Sequence, residues 1–171
     1  CSKLSADTYV QEYGRYFRLR TVCFRCGCIT GSGHAVAEQH GFLAYLMDCV
    51  IKKRVYTIYG YKGKQVRDNI HAKDLVSAFE QYFLKPNYGE IYNLGGGRHS
   101  NCSVIEAINL CEKISGNKME VIYKEEPRQG DHIWWISNNS KFQKHYPSWQ
   151  QQYDLKVILA DIHKGIISKN D

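Results

Sequence analysis

Apolar residues Leu4, Tyr9, Val10, Tyr13 and Phe17 recur at about the helical period, so residues 2–18 are predicted to form one amphipathic helix, weakened slightly by Gly14. The β-branched, apolar run "TVCFR" (21–25) predicts a strand. After it, "CGCITGSGHAVAEQHG" predicts a long loop of small residues, the kind that compact domains reserve for function. Residues 42–53 predict a helix with a buried face, 55–60 a short strand, 61–65 a turn, and 66–70 another strand. A helix returns at 71–85 and stops at Pro86. "EIYNLGGG" (90–97) predicts a strand running into three glycines, Ser103 and Glu106 a capping box for a helix at 104–114, 119–125 a strand, and 154–167 a closing amphipathic helix.

Alternating helices and strands predict an α/β architecture with about five readable strands. A doubly wound sheet that binds a dinucleotide opens on a strand followed by a Gly-x-Gly-x-x-Gly turn. This chain opens on a helix, and "GGG" at 95–97 lacks that spacing. It carries neither an initiator Met nor a charged-then-apolar leader, and its first turn already reads as mid-helix.

Composition changes the picture little. The 171 residues suit one domain, and 43% hydrophobic with 23% charged residues is ordinary for a soluble globular protein. No apolar run approaches the roughly 18 residues of a membrane span, so a soluble, cytoplasmic protein with no membrane partner is expected. Seven cysteines in no regular framework read as reduced thiols. Cys23, Cys26 and Cys28 have a suggestive spacing, but no second pair follows at a zinc-like interval, so no metal is expected. The formal charge of +6 asks for an anionic partner. Its lysines and arginines are scattered rather than striped, which favours a phosphorylated small molecule over nucleic acid.

Three segments, "SKLSADTYVQEYG", "VRDNIHAKDLV" and "EPRQGD", together with "FRCGCITGSGHAVAEQHGFLAYL", resemble in order and spacing the C-terminal half of the extended short-chain dehydrogenases/reductases, the NAD-dependent epimerase/dehydratase family acting on nucleotide sugars. The likeness covers nearly the whole chain and leans to the branch of CDP-paratose (CDP-tyvelose) 2-epimerases. It implies an α/β fold comprising the last strands of an NAD(P)-binding Rossmann sheet (about 1–33 and 66–100) and a smaller nucleotide-sugar-binding lobe (about 34–65 and 101–171). It also implies NAD as cofactor, a CDP-linked sugar as substrate, and a homo-oligomer.

The resemblance assigns residues as follows. Lys3 takes the lysine of the family's Tyr-x-x-x-Lys pair, catalytic and cofactor-binding, which puts the tyrosine before Cys1 and leaves this chain alone inactive. Cys28 stands where most members carry Asn, and it and Thr30 lie beside the cofactor. Gln39 and His40 touch the sugar. Thr57, Ile58 and Tyr59 flank the base through strand backbone groups. Arg67 and Arg128 hold the diphosphate, for which a planar guanidinium is suited, and Asp131 reaches the ribose or a neighbouring loop. Asp68 and Asp74 fix a loop and cap a helix, His71 is structural, and Asn93 satisfies backbone groups. The alternatives are a sister activity (4-epimerase or 4,6-dehydratase), a nucleotide-sugar-binding module without catalysis, and a nucleic-acid-binding domain inferred from charge alone. Lacking partners for its sheet, the chain is expected to expose apolar surface and to self-associate.

Overall fold

The structure is a computed structural model describing residues 1–37 and 41–170. The long-period elements fall where the pattern puts them: α1 (Ser2–Tyr16), β1 (Val22–Cys26), α2 (Phe42–Ile51), β3 (Tyr56–Tyr59), β4 (Val66–His71), α3 (Ala72–Leu84), β5 (Glu90–Leu94), α4 (Val104–Ser115), β7 (Val121–Lys124) and α6 (Leu155–Asn170). Four short elements lie where no periodicity predicts them: β2 (Cys28–Thr30), β6 (Asn101–Ser103), β8 (Trp134–Trp135) and α5 (Ser140–His145). Strands of two or three residues and a helix of six are too short to display a period; the three strands exist because β4 templates them. The predicted long loop is therefore interrupted by a strand at Cys28–Thr30.

β1 and β5 pair in parallel from Val22 opposite Glu90 to Cys26 opposite Leu94. β4 carries β2 in parallel, with Cys28 opposite Asn69 and Thr30 opposite His71, and β6 in antiparallel register against Val66–Asp68. β8 also pairs in parallel with Val66 and Arg67. β3 and β7 form a separate parallel pair.

Two apolar cores hold these strands. One gathers Leu46, Met47 and Val50 of α2 with Ile58, Ile108 and Ile158, Leu159 and Ile162 of α6. The other gathers Ile70, Leu75, Tyr92 and Leu94 with Phe142, Tyr146 and Trp149. The segment 142–149 thus packs with the β1–β5 side of the molecule, whereas the division by resemblance assigns it to the lobe.

Local chemistry explains the ends of the helices. Ser103 and Glu106 form the expected capping box on α4, which stops at Gly116 with φ 72°. At α3 the cap is His71, whose Nδ1 accepts from the Lys73 N–H at 3.1 Å. Asp74 instead accepts the backbone N–H groups of Gln152 and Tyr153 at 3.0 and 3.2 Å. It ties a distant loop down rather than capping the helix.

α1 departs most from expectation. Its apolar positions face solvent: Leu4 is 69% and Tyr9 67% exposed, and Tyr13 and Phe17 are exposed as well. The contacts to β1 are polar. Asp7 accepts a two-pronged pair from Arg25 at 2.9 and 3.0 Å, and the Thr21 hydroxyl donates to the Val10 carbonyl at 2.7 Å. Gly14 is the one buried residue of the helix, because a Cβ there would collide with Thr21 and the Gly89 backbone. Among the described residues no helix is long and apolar enough to cross a membrane.

Candidate nucleotide-sugar site

Side chains alternate along β4, so Arg67, Asn69 and His71 share one face while Asp68 and Ile70 take the other. Parallel register puts Cys28 and Thr30 of β2 on the face of Asn69 and His71. The opposite face is structural. Ile70 enters the core, and Asp68 accepts the N–H groups of Gly97 and Ser137, both at 2.9 Å. Cβ atoms at Gly95 and Gly96 would collide with Asp68, Ser137 and the Asn69 backbone, so these glycines serve close packing within the chain.

The functional face opens into a cavity of about 220 Å³ that gathers Cys28, Arg67, Arg128 and Asp131 with Thr57, Ile58 and Tyr59 of β3. β3 carries β7 along one edge and, among the described residues, no strand along the other. The Arg128 guanidinium lies 4.8 Å from the Tyr59 ring centre, a cation–π arrangement that fixes its position at the wall. Arg128 and Asp131 belong to one turn, closed by the Asp131 N–H donating to the Arg128 carbonyl at 3.0 Å, with Gly130 at φ 74°.

Arg67 Nη2 donates to Asp131, and its Nη1 donates to the Val66 carbonyl at 2.8 Å. A guanidinium has five N–H groups, so three remain for a ligand. Asp131 is therefore an ion-pair partner that aims Arg67, its Oδ1 accepting from both Arg67 and the His132 N–H. Burial pushes the Cys28 thiol up, the Asp68 charge adds to this and Arg67 opposes it, so Cys28 faces the cavity as a neutral thiol.

Gln65, Phe42 and Gly41 also line the cavity and were not singled out in the sequence. Gln65 is buried, donates to the Tyr59 carbonyl at 3.0 Å, and keeps its Oε1 unpartnered. Its place two residues before Arg67 was the available signal. Thr30 lies outside this cavity and lines an adjoining one. Lys3 sits on the exposed first turn of α1 and is not among the lining residues. Gln39 and His40 lie outside the described residues. His71 is buried, stacked on Tyr153 at 4.0 Å with its Nε2 3.1 Å from Asp161, a structural arrangement. Asn93 is an exposed residue of β5 with no side-chain hydrogen bond among the described residues, whereas Asn139 bonds both the N–H and the carbonyl of Gly95. Among the described residues no three His, Cys, Asp or Glu side chains cluster as a metal site would require.

The chain is similar to known proteins in sequence and in fold. CDP-paratose 2-epimerase of Salmonella typhi is 31% identical over 119 residues, 66% of this chain and 35% of that protein. UDP-glucose 4-epimerase 4 of Oryza sativa subsp. japonica is 31% identical over 103 residues, 58% of this chain and 27% of that protein. The crystal structure of UDP-glucose 4-epimerase from Thermotoga maritima with UDP-glucose superposes with a TM-score of 0.87 at 23% identity, covering 99% of this chain and 53% of that one. The chain thus spans about half the length of that solved relative. Its fold, α/β with parallel strands, is that of part of a Rossmann-fold epimerase. The profile of the NAD dependent epimerase/dehydratase family matches residues 1–95, more than half of the chain, and the chain belongs to that family.

Proposed function

We propose that this chain is the nucleotide-sugar-holding part of an NAD-using epimerase, with a CDP-linked dideoxyhexose epimerised at C2 as the specific reaction. The observation that carries the reading is the convergence of Arg67 and Arg128 with the free edge of β3 on one cavity. In this reading the two guanidinium groups hold the diphosphate, the backbone of Thr57 and Ile58 meets the base, and Tyr59 backs both. Two arginines against one carboxylate leave the wall positive, as a diphosphate requires. The first relative favours CDP, and the rice relative favours the alternative, a UDP-linked 4-epimerase.

Cβ atoms at Gly95 and Gly96 would meet Asp68, Ser137 and the backbone of Asn69 and Ser100, so these two glycines serve packing within the chain, and no step through the cofactor is derived from them. Lys3, exposed and without an ion pair among the described residues, is the one group this reading gives to catalysis, in company with groups outside the chain. The exposed apolar residues of α1 are the surface on which self-association is proposed.

Calorimetric titration of the chain with CDP and UDP tests the reading. Saturable binding that weakens at least tenfold in Arg128→Ala, with CDP preferred, is expected. Equal affinity for CDP and UDP favours the alternative, and binding of single-stranded RNA in place of either nucleotide would overturn both.

A further inference from the structure

β7 pairs with β3 along one edge and, among the described residues, with no strand along the other. All of its residues are exposed, and the apolar ones Val121, Ile122 and Tyr123 are 39%, 49% and 45% exposed. Such a strand is a template for another chain, which native proteins usually blunt with charge, proline or a bulge. The charges that flank this one are instead arranged to complement themselves.

The inner edge fixes which groups the outer edge offers. The carbonyls of Glu120 and Lys124 accept from the N–H groups of Tyr56 and Gly60 at 2.9 and 2.8 Å, so both point toward β3. Backbone direction alternates along a strand, so Ile122 also turns its polar groups to β3, while Val121 and Tyr123 turn theirs outward. A two-fold axis at Ile122 sets Val121 opposite Tyr123 of a second, antiparallel copy. Both have outward groups, so they exchange N–H···O bonds, and the symmetry repeats the pair. Ile122 then meets its own counterpart as a non-hydrogen-bonded pair, the kind whose side chains lie closer.

The same axis sets Glu120 opposite Lys124 of the second copy, twice over, and Lys118 opposite Glu126. Opposite charges across a sheet stabilise it, and like charges directly opposite destabilise it. Glu120 and Lys124 are exposed and have no ion pair within the chain among the described residues; Lys124 lies over the Tyr59 ring, 5.6 Å from its centre. Shifting the axis by a whole residue is the smallest step that keeps outward groups facing outward groups. Centred on Val121, the pairing sets Lys118 against Lys124; centred on Tyr123, it sets Glu120 against Glu126. Of these registers, the one at Ile122 alone is matched in charge.

We infer that β7 is a self-docking edge: two copies of this chain pair antiparallel through it about an axis at Ile122, joining the two β3–β7 pairs into one continuous sheet. The inference is independent of the nucleotide reading and names a surface other than α1. A single strand edge is a small interface, so the dimer is weak and reversible.

Sedimentation velocity of the 171-residue chain at rising concentration tests it. The parent is expected to pass from monomer to dimer. Glu120→Lys and Lys124→Glu each set like charges opposite each other at both symmetric positions, and each should weaken self-association at least about tenfold. An equimolar mixture of the two variants brings lysine opposite glutamate again and should associate as tightly as the parent. Both positions are exposed, so each variant should melt as the parent does, which separates lost pairing from lost folding. In hydrogen exchange the amides of Val121 and Tyr123 should slow with concentration, and that of Ile122, already turned to β3, should not. A parent that stays monomeric at millimolar concentration would overturn the inference. So would variants that associate as the parent does, the result if α1 makes the contact, or a mixture that associates no better than its components.

Discussion

Disrupting the Arg67–Asp131 pair from either side should lower stability, but the two sides should move ligand affinity in opposite directions. Both side chains are mostly buried, 16% and 19% exposed, so the pair lies between a solvated ion pair worth at most about 1 kcal/mol and a fully buried one whose breakage costs about 3–5 kcal/mol. Asp131→Asn leaves Arg67 its bond to the Val66 carbonyl. The expected loss is about 1.5–2 kcal/mol, the lower range for a charged hydrogen bond. Arg67→Met leaves Asp131 with the His132 N–H alone, and about 2–3 kcal/mol is expected. At about 2–4 °C per kcal/mol for a chain of this size, these become melting shifts of roughly 3–12 °C. The double variant should lose less than the sum, with a coupling of about 1.5–3 kcal/mol in urea melts followed by tryptophan fluorescence. Toward CDP the signs split. Asp131→Asn removes the carboxylate that opposes the diphosphate and frees a guanidinium N–H, so affinity should rise. Arg67→Met removes the donor and leaves the carboxylate, so affinity should fall by more than tenfold. Single-variant losses that add to within about 0.5 kcal/mol, or an Asp131→Asn protein that binds CDP more weakly, would refute the reasoning.

Three other outcomes follow from the packing. Burial pulls the Asp161 carboxyl upward, but hydrogen bonds from His71 and Ser32 outweigh it and hold it below the usual 3.8. A depressed carboxylate stabilises the fold above its unfolded pKa and loses that contribution as pH falls through the lower folded value. The stability gap between the parent and Asp161→Asn in urea melts should therefore be full at pH 7 and close below about pH 3.8. Gly14→Ala should destabilise by about 1–3 kcal/mol through overpacking, although alanine gains about 1 kcal/mol of helix propensity; a more stable variant in thermal melts would show that α1 does not touch Gly89 as described. Alkylation of the native chain at pH 8 should label exposed Cys1 first and spare Cys102, whose thiol burial pushes up to about 12, and Cys111, pushed up further by the same cause. Mass spectrometry showing early labelling of either buried thiol would contradict this core.

The order of the longer elements and part of the cavity lining were legible along the chain, but not how they meet. Helices of ten residues or more announce themselves by period, and Ser103 and Glu106 by spacing. Arg67, Arg128 and the strand at Thr57–Tyr59 could be singled out only through the family resemblance of the stretches that hold them. β2, β6 and β8 could not, since a two- or three-residue strand is specified by its neighbour's unpaired backbone rather than by its own side chains. Nor could the role of Asp131, which depends on Arg67 lying across the cavity from a turn sixty-four residues later. α1 shows the same division from the other side. Its apolar spacing determined a helix, yet burial needs a second surface, and among the described residues none covers Leu4 or Tyr9. That Thr30 Oγ1 and Asn69 Oδ1 are buried without a partner belongs wholly to the tertiary structure, because sequence records which groups can hydrogen-bond, and only packing decides which are left without a partner.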